Sequence, residues 1–167
     1  MLNQKIIDWL KKEKKSHKLN VKIINLSKLD NWKFNDKEIS HKSGRFFKIV
    51  GLKVYSNFFK KNWDQPIIIQ NEVGILGIIK NKNKYLLQAK AEPGNKNKVQ
   101  ISPTVQATKS NYNKVHKGKK VPYLDYFLNI NKKNIIKQTE QGFRYLNKYN
   151  SNIIVKTNKK INLLPSF

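Results

Sequence analysis

The sequence predicts an α+β protein in which a mixed or largely antiparallel sheet is flanked by helices. Three observations favour this fold class. Four strand-like runs follow one another closely between residues 66 and 108, with turn residues between them. An amphipathic helical pattern precedes these runs at the N-terminus, and a second helical pattern follows them. Because the connections are short, antiparallel pairing of the strands is expected.

The N-terminal part predicts one helix and then less regular structure. Residues 3–15 place apolar side chains on one side and lysines on the other, which predicts a short helix. The run VKIINL, which starts at Val21, has the composition of a strand. The next segment, SKLDNW, is typical of a helical turn with Ser27 as its cap.

The centre of the chain predicts successive strands. Residues 39–54 predict two strands with breaks near Gly44 and at Gly51. Four further runs have strand composition: PIIIQ (66–70), GILGIIK (74–80), YLLQAKAE (85–92) and VQISPTVQAT (99–108). Turn residues separate these runs, so they form the centre of the predicted sheet.

The C-terminal part predicts a loop, a second helix and a last strand. Residues 109–120 are polar and contain glycine, which predicts a loop, and Pro122 opens a short helical turn. Apolar residues recur at helical spacing over 134–150, although Gly142 is unfavourable inside a helix. The run SNIIVK, 151–156, predicts the final strand.

Two of the central strands carry polar side chains on alternate residues. Gln88, Lys90 and Glu92 share one face of their strand, because side chains on a strand alternate between faces. The polar faces of the two strands coincide only if the numbers of paired residues sum to an even value. The predicted register therefore pairs Glu92 with Gln100, Lys90 with Ser102 and Gln88 with Thr104.

Two interpretations of this polar face stay open. It is either the solvated face of an antiparallel sheet or the lining of a pocket. Elsewhere the polar residues are mostly Lys and Asn, whereas here Gln, Ser and Thr surround one Lys and one Glu. This composition is more typical of a pocket. Glu92 beside Lys90 is then well placed for proton transfer.

The charge of the chain is the strongest feature of its composition. The formal net charge is +25, from 35 Lys and Arg against 10 Asp and Glu. Only Arg45 and Arg144 are arginines, and the lysines are spread along the chain. Proteins that read nucleic acid favour arginine, so specific nucleic-acid binding is not expected. Codon bias in an AT-rich genome explains the lysines better, and a basic nucleic-acid-binding domain stays as an alternative.

Several classes of site are excluded by residues that the chain lacks. It contains no cysteine, so disulfides and thiolate metal sites are absent. His17, His41 and His116 lie far apart and without metal-ligand spacing. No dinucleotide fingerprint, P-loop or nucleophile elbow occurs, so we expect neither metal nor cofactor. Without a secretion signal or an apolar run of about 20 residues, a soluble cytoplasmic protein is expected.

Six segments together resemble the NDP-hexose 2,3-dehydratases of deoxysugar biosynthesis. They are HKSGRFFKIVGLKV (41–54), WDQPIIIQNEVGILGII (63–79), LLQAKAEPGN (86–95), VQISPTVQATKSNYNKVHKG (99–118), VPYLDYF (121–127) and EQGFRYLNKYNSNIIV (140–155). The resemblance implies a Nudix-like fold, a mixed sheet between helices, without the metal-binding glutamates of the Nudix box. It also implies a metal-independent and cofactor-independent lyase whose ligand is a dTDP-linked keto-sugar.

The resemblance also implies the reaction, which is loss of water from C2 and C3 of dTDP-4-keto-6-deoxyglucose. From the chemistry and their positions, Glu92 is the candidate base, and Lys90 holds the enolate oxygen or the diphosphate. Tyr112 and His116 are candidates for the acid. Further candidates for binding the nucleotide and sugar are polar or aromatic: His41, Arg45, Trp63, Gln65, Gln70, Gln88, Gln106, Ser110, Asn111, Tyr123, Glu140 and Arg144.

Purely structural roles are open for several of these candidates. A place for Trp63 in the core is favoured over a role in stacking on the base. Arg144 pairs with Glu140 at i+4 if both lie on the predicted helix. A structural role for His41 is to cap the end of a strand. These alternatives are decided by where the fold places each side chain.

Members of the family carry two such modules in tandem, and this chain resembles the first. We expect residues 1–167 to form a single module, with an N-terminal helix within 1–20 and a tail or linker from 156 to 167. A homodimer or pairing with a second module is expected. A non-catalytic half that only binds the sugar nucleotide is the alternative.

Overall fold

In the computed structural model, residues 3–113 and 120–167 are described, and α1 spans Gln4–Ser16, which confirms the N-terminal helix. The Asn3 side chain caps α1 by accepting a hydrogen bond from the Lys5 backbone N–H at 2.9 Å. The strand predicted from Val21 is wrong, and Ile23 is 95% exposed. Strand composition alone does not form a strand without a neighbour to pair with.

A short 3-10 helix, Leu26–Lys28, follows this exposed segment. The helical turn is therefore confirmed, but its cap is Asn25. The Asn25 side chain accepts hydrogen bonds from both the backbone N–H and the hydroxyl of Ser27, at 3.1 and 3.0 Å. Asn in the cap position satisfies a backbone donor that has no partner within the helix.

The next part of the chain forms a four-stranded antiparallel sheet in chain order. Its strands are β1 (Trp32–Phe34), β2 (Glu38–His41), β3 (Lys48–Ser56) and β4 (Lys61–Ile69). The break predicted at Gly51 is wrong, because β3 continues through Gly51, which lies opposite Pro66. Pro66 donates no backbone hydrogen bond, and it is tolerated because β4 is an edge strand of this sheet.

The remaining strands form a six-stranded sheet in the order β7-β6-β5-β10-β9, with β8 also paired to β5. They are β5 (Gly74–Asn81), β6 (Lys84–Ala91), β7 (Val99–Pro103), β8 (Val105–Ala107), β9 (Ile135–Thr139) and β10 (Tyr149–Lys156). β10 pairs with β5 in parallel, and the other pairs are antiparallel. The predicted α+β class is confirmed, while a Nudix-like topology stays a prediction.

The helix predicted over 134–150 is wrong. β9 occupies its first half and pairs with β10, so that Ile135 lies opposite Ile153. The β-branched residues of this segment suit a strand, and Gly142 lies in the turn between the two strands. Glu140 and Arg144 therefore do not share a helix face, and the i+4 pair proposed for them does not form.

The core lies on the face of the six-stranded sheet that α3, Asp125–Leu128, covers. Its buried side chains are Ile79, Val105, Ala107, Leu124, Phe127 and Ile153. Gly77 is required here, because a Cβ would lie 2.4–2.7 Å from atoms of the Phe127 ring. The ring packs directly onto the backbone of β5, which seals this face of the sheet.

As predicted, the numbers of paired residues in β6 and β7 sum to an even value, but the register is shifted by two residues. Lys90 pairs with Gln100, and Gln88 pairs with Ser102, so the polar faces do coincide. Thr104 lies between two ladders, after Pro103, which pairs with Leu87, and before Val105, which pairs with Gly77, and it is 1% exposed. Its hydroxyl donates to the Leu86 carbonyl and accepts the Ile79 N–H at 3.0 Å. Thr104 thus lies where the chain stops pairing with β6, through β7, and starts pairing with β5, through β8.

Candidate active site

A polar pocket of about 280 Å³ opens where β5 and β10 begin and β6 ends. Six residues predicted from the sequence line it: Gln70, Lys90, Glu92, Gln106, Asn111 and Glu140. The pocket interpretation of the polar face is therefore supported at the end of β6. We call this cavity the inner pocket.

One wall of the inner pocket is a lysine–glutamate pair at the end of β6. Lys90 Nζ lies 3.0 Å from Glu92 Oε1, and the side chains are 27% and 40% exposed. Gln106 donates a longer hydrogen bond, 3.5 Å, to the same carboxylate oxygen. The pair forms because residues i and i+2 of a strand share a face. It brings a proton acceptor and a proton donor together.

A second lysine, Lys148, lines the opposite wall and is buried, with only 6% of its surface exposed. Its ammonium donates a hydrogen bond to the backbone carbonyl of Glu72. Burial lowers the pKa of Lys148, and the negative charges of Glu140 and Glu72 oppose that change. Lys148 is therefore a weakly solvated cation next to the pocket.

Asn150 fixes the carboxylate of Glu140 at the same wall. Its amide donates to Glu140 Oε1 and accepts the Gly74 N–H at 3.2 Å. A Cβ at Gly74 would lie 2.7 Å from the Asn150 oxygen, so this contact requires glycine. The parallel pairing of β10 with β5 places Asn150 directly beside Gly74.

The Glu72 side chain fixes the loop that precedes β5. Its two carboxylate oxygens accept hydrogen bonds from Ser110, one from the backbone N–H at 3.0 Å and one from the hydroxyl at 2.6 Å. Ser110 is buried in α2, Lys109–Tyr112, so this short helix covers the end of the sheet. Both Glu72 and Ser110 line a second cavity that adjoins the inner pocket.

This second cavity, which we call the outer cleft, has a volume of about 690 Å³ and is lined by basic side chains. Its cations are Lys33, Lys42, Arg45 and Lys48. Lys48 lies 2.9 Å from Glu38, and hydrogen bonds from Lys48 and then Ser40 lower the pKa of the Glu38 carboxyl. Gln70 lines both cavities, so they adjoin at that residue.

His41, Arg45, Gln70 and Ser110 are predicted site residues that line the outer cleft. His41 is the last residue of β2, and its Nδ1 accepts the Ser43 backbone N–H at 3.2 Å. The alternative that His41 caps a strand end is therefore also supported. Arg45 is exposed in the loop after β2.

Three predicted residues lie away from both cavities, namely Trp63, Gln65 and Arg144. The Trp63 indole donates to the Gln65 side chain at 2.7 Å, and Gln65 donates to the Phe143 carbonyl at 2.8 Å. The backbone of Arg144 accepts the Ile68 N–H at 2.8 Å, which joins β4 to the turn after β9. These contacts connect the two sheets.

Four further candidates have other surroundings. The Tyr123 hydroxyl donates to the Asn162 carbonyl at 2.6 Å and holds the C-terminal segment. Gln88 lines a separate groove against that segment. Tyr112 packs against the core cluster, and neither of the two cavities includes it. His116 lies outside the described residues.

Sequence reasoning missed Lys148, Asn150, Glu72 and Tyr145, all of which line one of the two cavities. Lys148 and Asn150 lie in the segment that was predicted to be helical. If that segment is instead treated as a strand, residues 148 and 150 fall on one face, which is a usable signal. The burial of Lys148 has no such signal, because its neighbours are distant in sequence.

The described ranges, 3–113 and 120–167, contain neither a membrane-spanning helix nor a cluster of metal ligands. No helix there is long and apolar enough to cross a membrane. No three His, Asp or Glu side chains within those ranges are grouped so that they could hold a metal ion. The absence of a metal or cofactor from the reaction stays a prediction.

The sequence model of the NDP-hexose 2,3-dehydratase family matches residues 3–167. The chain therefore belongs to this family, which confirms the resemblance. It is 40% identical over 169 residues to a dTDP-4-dehydro-6-deoxy-alpha-D-glucopyranose 2,3-dehydratase of Saccharopolyspora spinosa, covering 95% of this chain and 35% of that protein. An Amycolatopsis orientalis protein of the same name is 38% identical over 182 residues, which cover 100% of this chain and 39% of that protein.

A third relative with this name, from Streptomyces violaceoruber, is 39% identical over 172 residues, which cover 95% of this chain and 38% of that protein. The chain thus spans little more than a third of the length of the curated relatives that it matches. These relatives are between two and three times as long as this chain.

Proposed function

We propose that this chain is a sugar-nucleotide 2,3-dehydratase module, a hydro-lyase that acts on a dTDP-4-keto-6-deoxyhexose. The product is a 3,4-diketo-2,6-dideoxy sugar nucleotide. Family membership and the names of the relatives support this proposal. The observation that carries it is the inner pocket, which brings the Lys90–Glu92 pair to a buried lysine. Elimination next to a ketone needs this combination of base and cations.

Glu92 is the base that removes the C3 proton of the sugar. The electron pair of the C3–H bond forms the C3–C4 double bond of an enolate, whose charge rests on the C4 oxygen. The enolate then re-forms the C4 ketone and makes a C2–C3 double bond as the C2–O bond breaks, and the departing hydroxyl takes a proton from Lys90 and leaves as water. The resulting enol gains a proton at C2 and loses the proton of its C3 hydroxyl, which gives the 3,4-diketone. Lys90 takes the role of acid here because Tyr112 packs against the core.

The outer cleft binds the diphosphate in this proposal. Arg45, Lys42 and Lys48 line it, and cationic side chains with several donors favour phosphate oxygens. Gln70 borders both cavities, so one extended ligand spans them with its diphosphate outside and its sugar inside. The thymine base then lies beyond the cleft.

Residues 1–167 act as one module in this proposal, and they pair with a second module or a second copy of the chain. The much greater length of the relatives supports this pairing. The same observation favours a second candidate function, a half that binds the sugar nucleotide without turning it over. A cytoplasmic location, predicted from the sequence, is part of the same proposal.

Incubation of the purified chain with dTDP-4-keto-6-deoxyglucose tests the function. The 3,4-diketone is trapped with an aromatic 1,2-diamine, and the trapped product is measured by mass spectrometry. Diketone formation supports the dehydratase, whereas binding of the nucleotide without product supports the binding half. Tight, sequence-selective binding of DNA or RNA at physiological salt favours instead the basic nucleic-acid-binding domain.

The Asp64→Asn variant is the control for effects of substitution and purification that do not involve either cavity. Asp64 is an exposed carboxylate on β4, 3.9 Å from Lys53, and it borders neither the inner pocket nor the outer cleft. Its turnover is expected to match the wild type, since surface ion pairs contribute little to stability.

A further inference from the structure

The structure points to Lys148 as a further catalytic residue of the inner pocket. We propose that its ammonium group donates a hydrogen bond to the C4 oxygen of the keto-sugar and stabilises the enolate. This inference rests on the proposed function and extends it, because neither the sequence patterns nor the resemblance singles out Lys148.

The burial of Lys148 is the first observation behind this proposal. Among lysines whose side chains the structure describes, Lys148 alone is buried, although the chain is rich in lysine. Burying an ammonium group is unfavourable unless it is paired. Within the described ranges, no carboxylate oxygen lies within 4.0 Å of its Nζ. No direct ion pair therefore explains the location of Lys148, although the charges of Glu140 and Glu72 act on it from farther away.

The hydrogen bonding of Lys148 is the second observation. An ammonium group has three N–H donors. Its hydrogen-bond acceptor in the described part of the chain is the Glu72 carbonyl, which uses one donor. Because Lys148 lines the inner pocket, the other donors are available to a ligand bound there.

The surroundings of Lys148 hold it in place. Glu72, which accepts its hydrogen bond, is fixed through both carboxylate oxygens to Ser110. The Lys148 carbonyl also accepts the Glu140 backbone N–H at 2.9 Å. A fixed cation needs no reorganisation when charge develops beside it, which is the condition for electrostatic catalysis.

The C4 oxygen is the ligand atom that this cation suits best. The enolate oxygen is where negative charge develops during the reaction. A buried cation stabilises such a charge more strongly than an exposed one, because the interior screens less than water. The diphosphate has its own cations in the outer cleft, and Lys90 already pairs with Glu92. Lys148 therefore remains for the ketone.

Hydrogen exchange at C3 tests this role separately from elimination. The probe is dTDP-4-keto-2,6-dideoxyglucose, which has no C2 hydroxyl to lose, so its enolisation is measured by NMR as deuterium uptake at C3. Lys148→Met is expected to slow this exchange at least 100-fold while the Kd for dTDP changes less than threefold. Turnover of the 2-hydroxy substrate is expected to fall by a similar factor.

Two further variants complete the comparison. Lys148→Arg keeps a cation and is expected to exchange at least tenfold faster than Lys148→Met. Lys156→Met removes an exposed lysine at the far end of β10 and is expected to stay within twofold of the wild type. If Lys148→Met does not fold, the rate of hydrogen exchange at C3 by Lys148→Arg is measured across alkaline pH instead. An arginine keeps its proton there, so a decline at the same pH as in the wild type overturns the proposal.

The outcomes separate this inference from the proposed function. A wild-type chain that shows neither C3 exchange nor diketone overturns the proposed function and this inference with it. An active wild type with an equally active Lys148→Met variant overturns this inference alone. A folded Lys148→Met variant that loses dTDP affinity together with exchange also overturns it, because Lys148 then supports nucleotide binding.

Discussion

The inner pocket and the outer cleft contain the same types of charged residue in different surroundings. Each holds a lysine–glutamate pair, with N–O distances of 3.0 Å for Lys90–Glu92 and 2.9 Å for Lys48–Glu38. The inner pocket adds the buried cation of Lys148, whereas Arg45 in the outer cleft is exposed.

In the proposed function, surroundings and not residue type determine what each cation does. Exposed cations are screened by water and salt, so in this proposal Lys33, Lys42 and Arg45 of the outer cleft attract a phosphate without altering its reactivity. A buried cation acts on a charge that forms beside it. We therefore assign binding to the outer cleft and chemistry to the inner pocket, and the predictions that follow test this division.

The largest expected effect is that of Glu92→Gln. Removal of the base lowers kcat at least 1000-fold, which is within the range of general-base catalysis, while dTDP affinity changes less than twofold. The matched change in the outer cleft, Glu38→Gln, is expected to lower kcat less than threefold. Steady-state rates and calorimetric titration with dTDP measure both. Equal losses of kcat in the two variants contradict the division.

Gly74→Ala is expected to disrupt the inner pocket without affecting the outer cleft. The added methyl displaces the Asn150 amide that holds Glu140, so kcat falls about 100-fold with little change in dTDP affinity. Gly77→Ala is the control on the same strand. Its methyl overlaps the Phe127 ring, and the free energy of unfolding falls by about 3 kcal/mol.

Chemical denaturation and steady-state rates of the two glycine variants distinguish these effects. Loss of kcat in a stable Gly77→Ala variant, or unchanged kcat in Gly74→Ala, contradicts the expectation that the Asn150–Glu140 contact maintains the inner pocket.

The pH dependence of kcat is expected to show the lowered pKa of Lys148. Its protonated form is the active one, so kcat falls about tenfold per pH unit above that pKa, which lies below the ordinary value of 10.5. Glu72 and Glu140 act on Lys148, and Lys90 and Glu92 line the same pocket. The Lys148→Arg variant keeps a cation at this position. Its pH profile of kcat therefore separates the titration of Lys148 from that of the other charged groups.

Stability gives an independent check on the sign of this pKa change. The pKa of Lys148 is lower in the folded protein than in the unfolded chain. The unfolded chain therefore binds more protons between the two values, and the free energy of unfolding rises with pH across that interval. Lys148→Met removes this rise. An unchanged pH slope of stability in that variant contradicts the assigned pKa.

The smallest expected effect is that of Arg45→Gln in the outer cleft. Loss of one exposed cation weakens dTDP binding about tenfold and leaves kcat within twofold. Because Arg45 is exposed, the difference from the wild type is expected to shrink as salt is raised. Titrations at two ionic strengths measure it. A fall in kcat without a change in affinity places Arg45 in the chemistry instead.

The predictable part of the fold and site rests on local patterns. The alternation of side chains between faces over residues 85–92 predicted that Lys90 and Glu92 share a face. It also predicted that the numbers of paired residues in β6 and β7 sum to an even value. The exact register was not predictable, because the alternation of faces leaves shifts of two residues open. The departure of Thr104 from the ladder to bond with Ile79 and Leu86 was not predictable either, since it depends on where β5 lies.

The wrong predictions arose where distant parts of the chain meet. Residues 134–150 have helical spacing, yet β9 and β10 form there because β10 adds to β5 about 75 residues earlier in the chain. The run from Val21 has strand composition, yet no strand within residues 3–113 and 120–167 pairs with it. In both cases the presence or absence of a neighbouring strand outweighed local preference.

The sequence by itself determined the family, the helix at the N-terminus and the polar face that ends at Glu92, because these depend on residue order and side-chain alternation. Only the tertiary structure decided which of the described lysines is buried. Lys148 resembles every other lysine in the sequence, and it lies two residues before Asn150, where the parallel pairing of β10 with β5 begins. Burial depends on distant neighbours, and it alone separates this cation from the solvated ones.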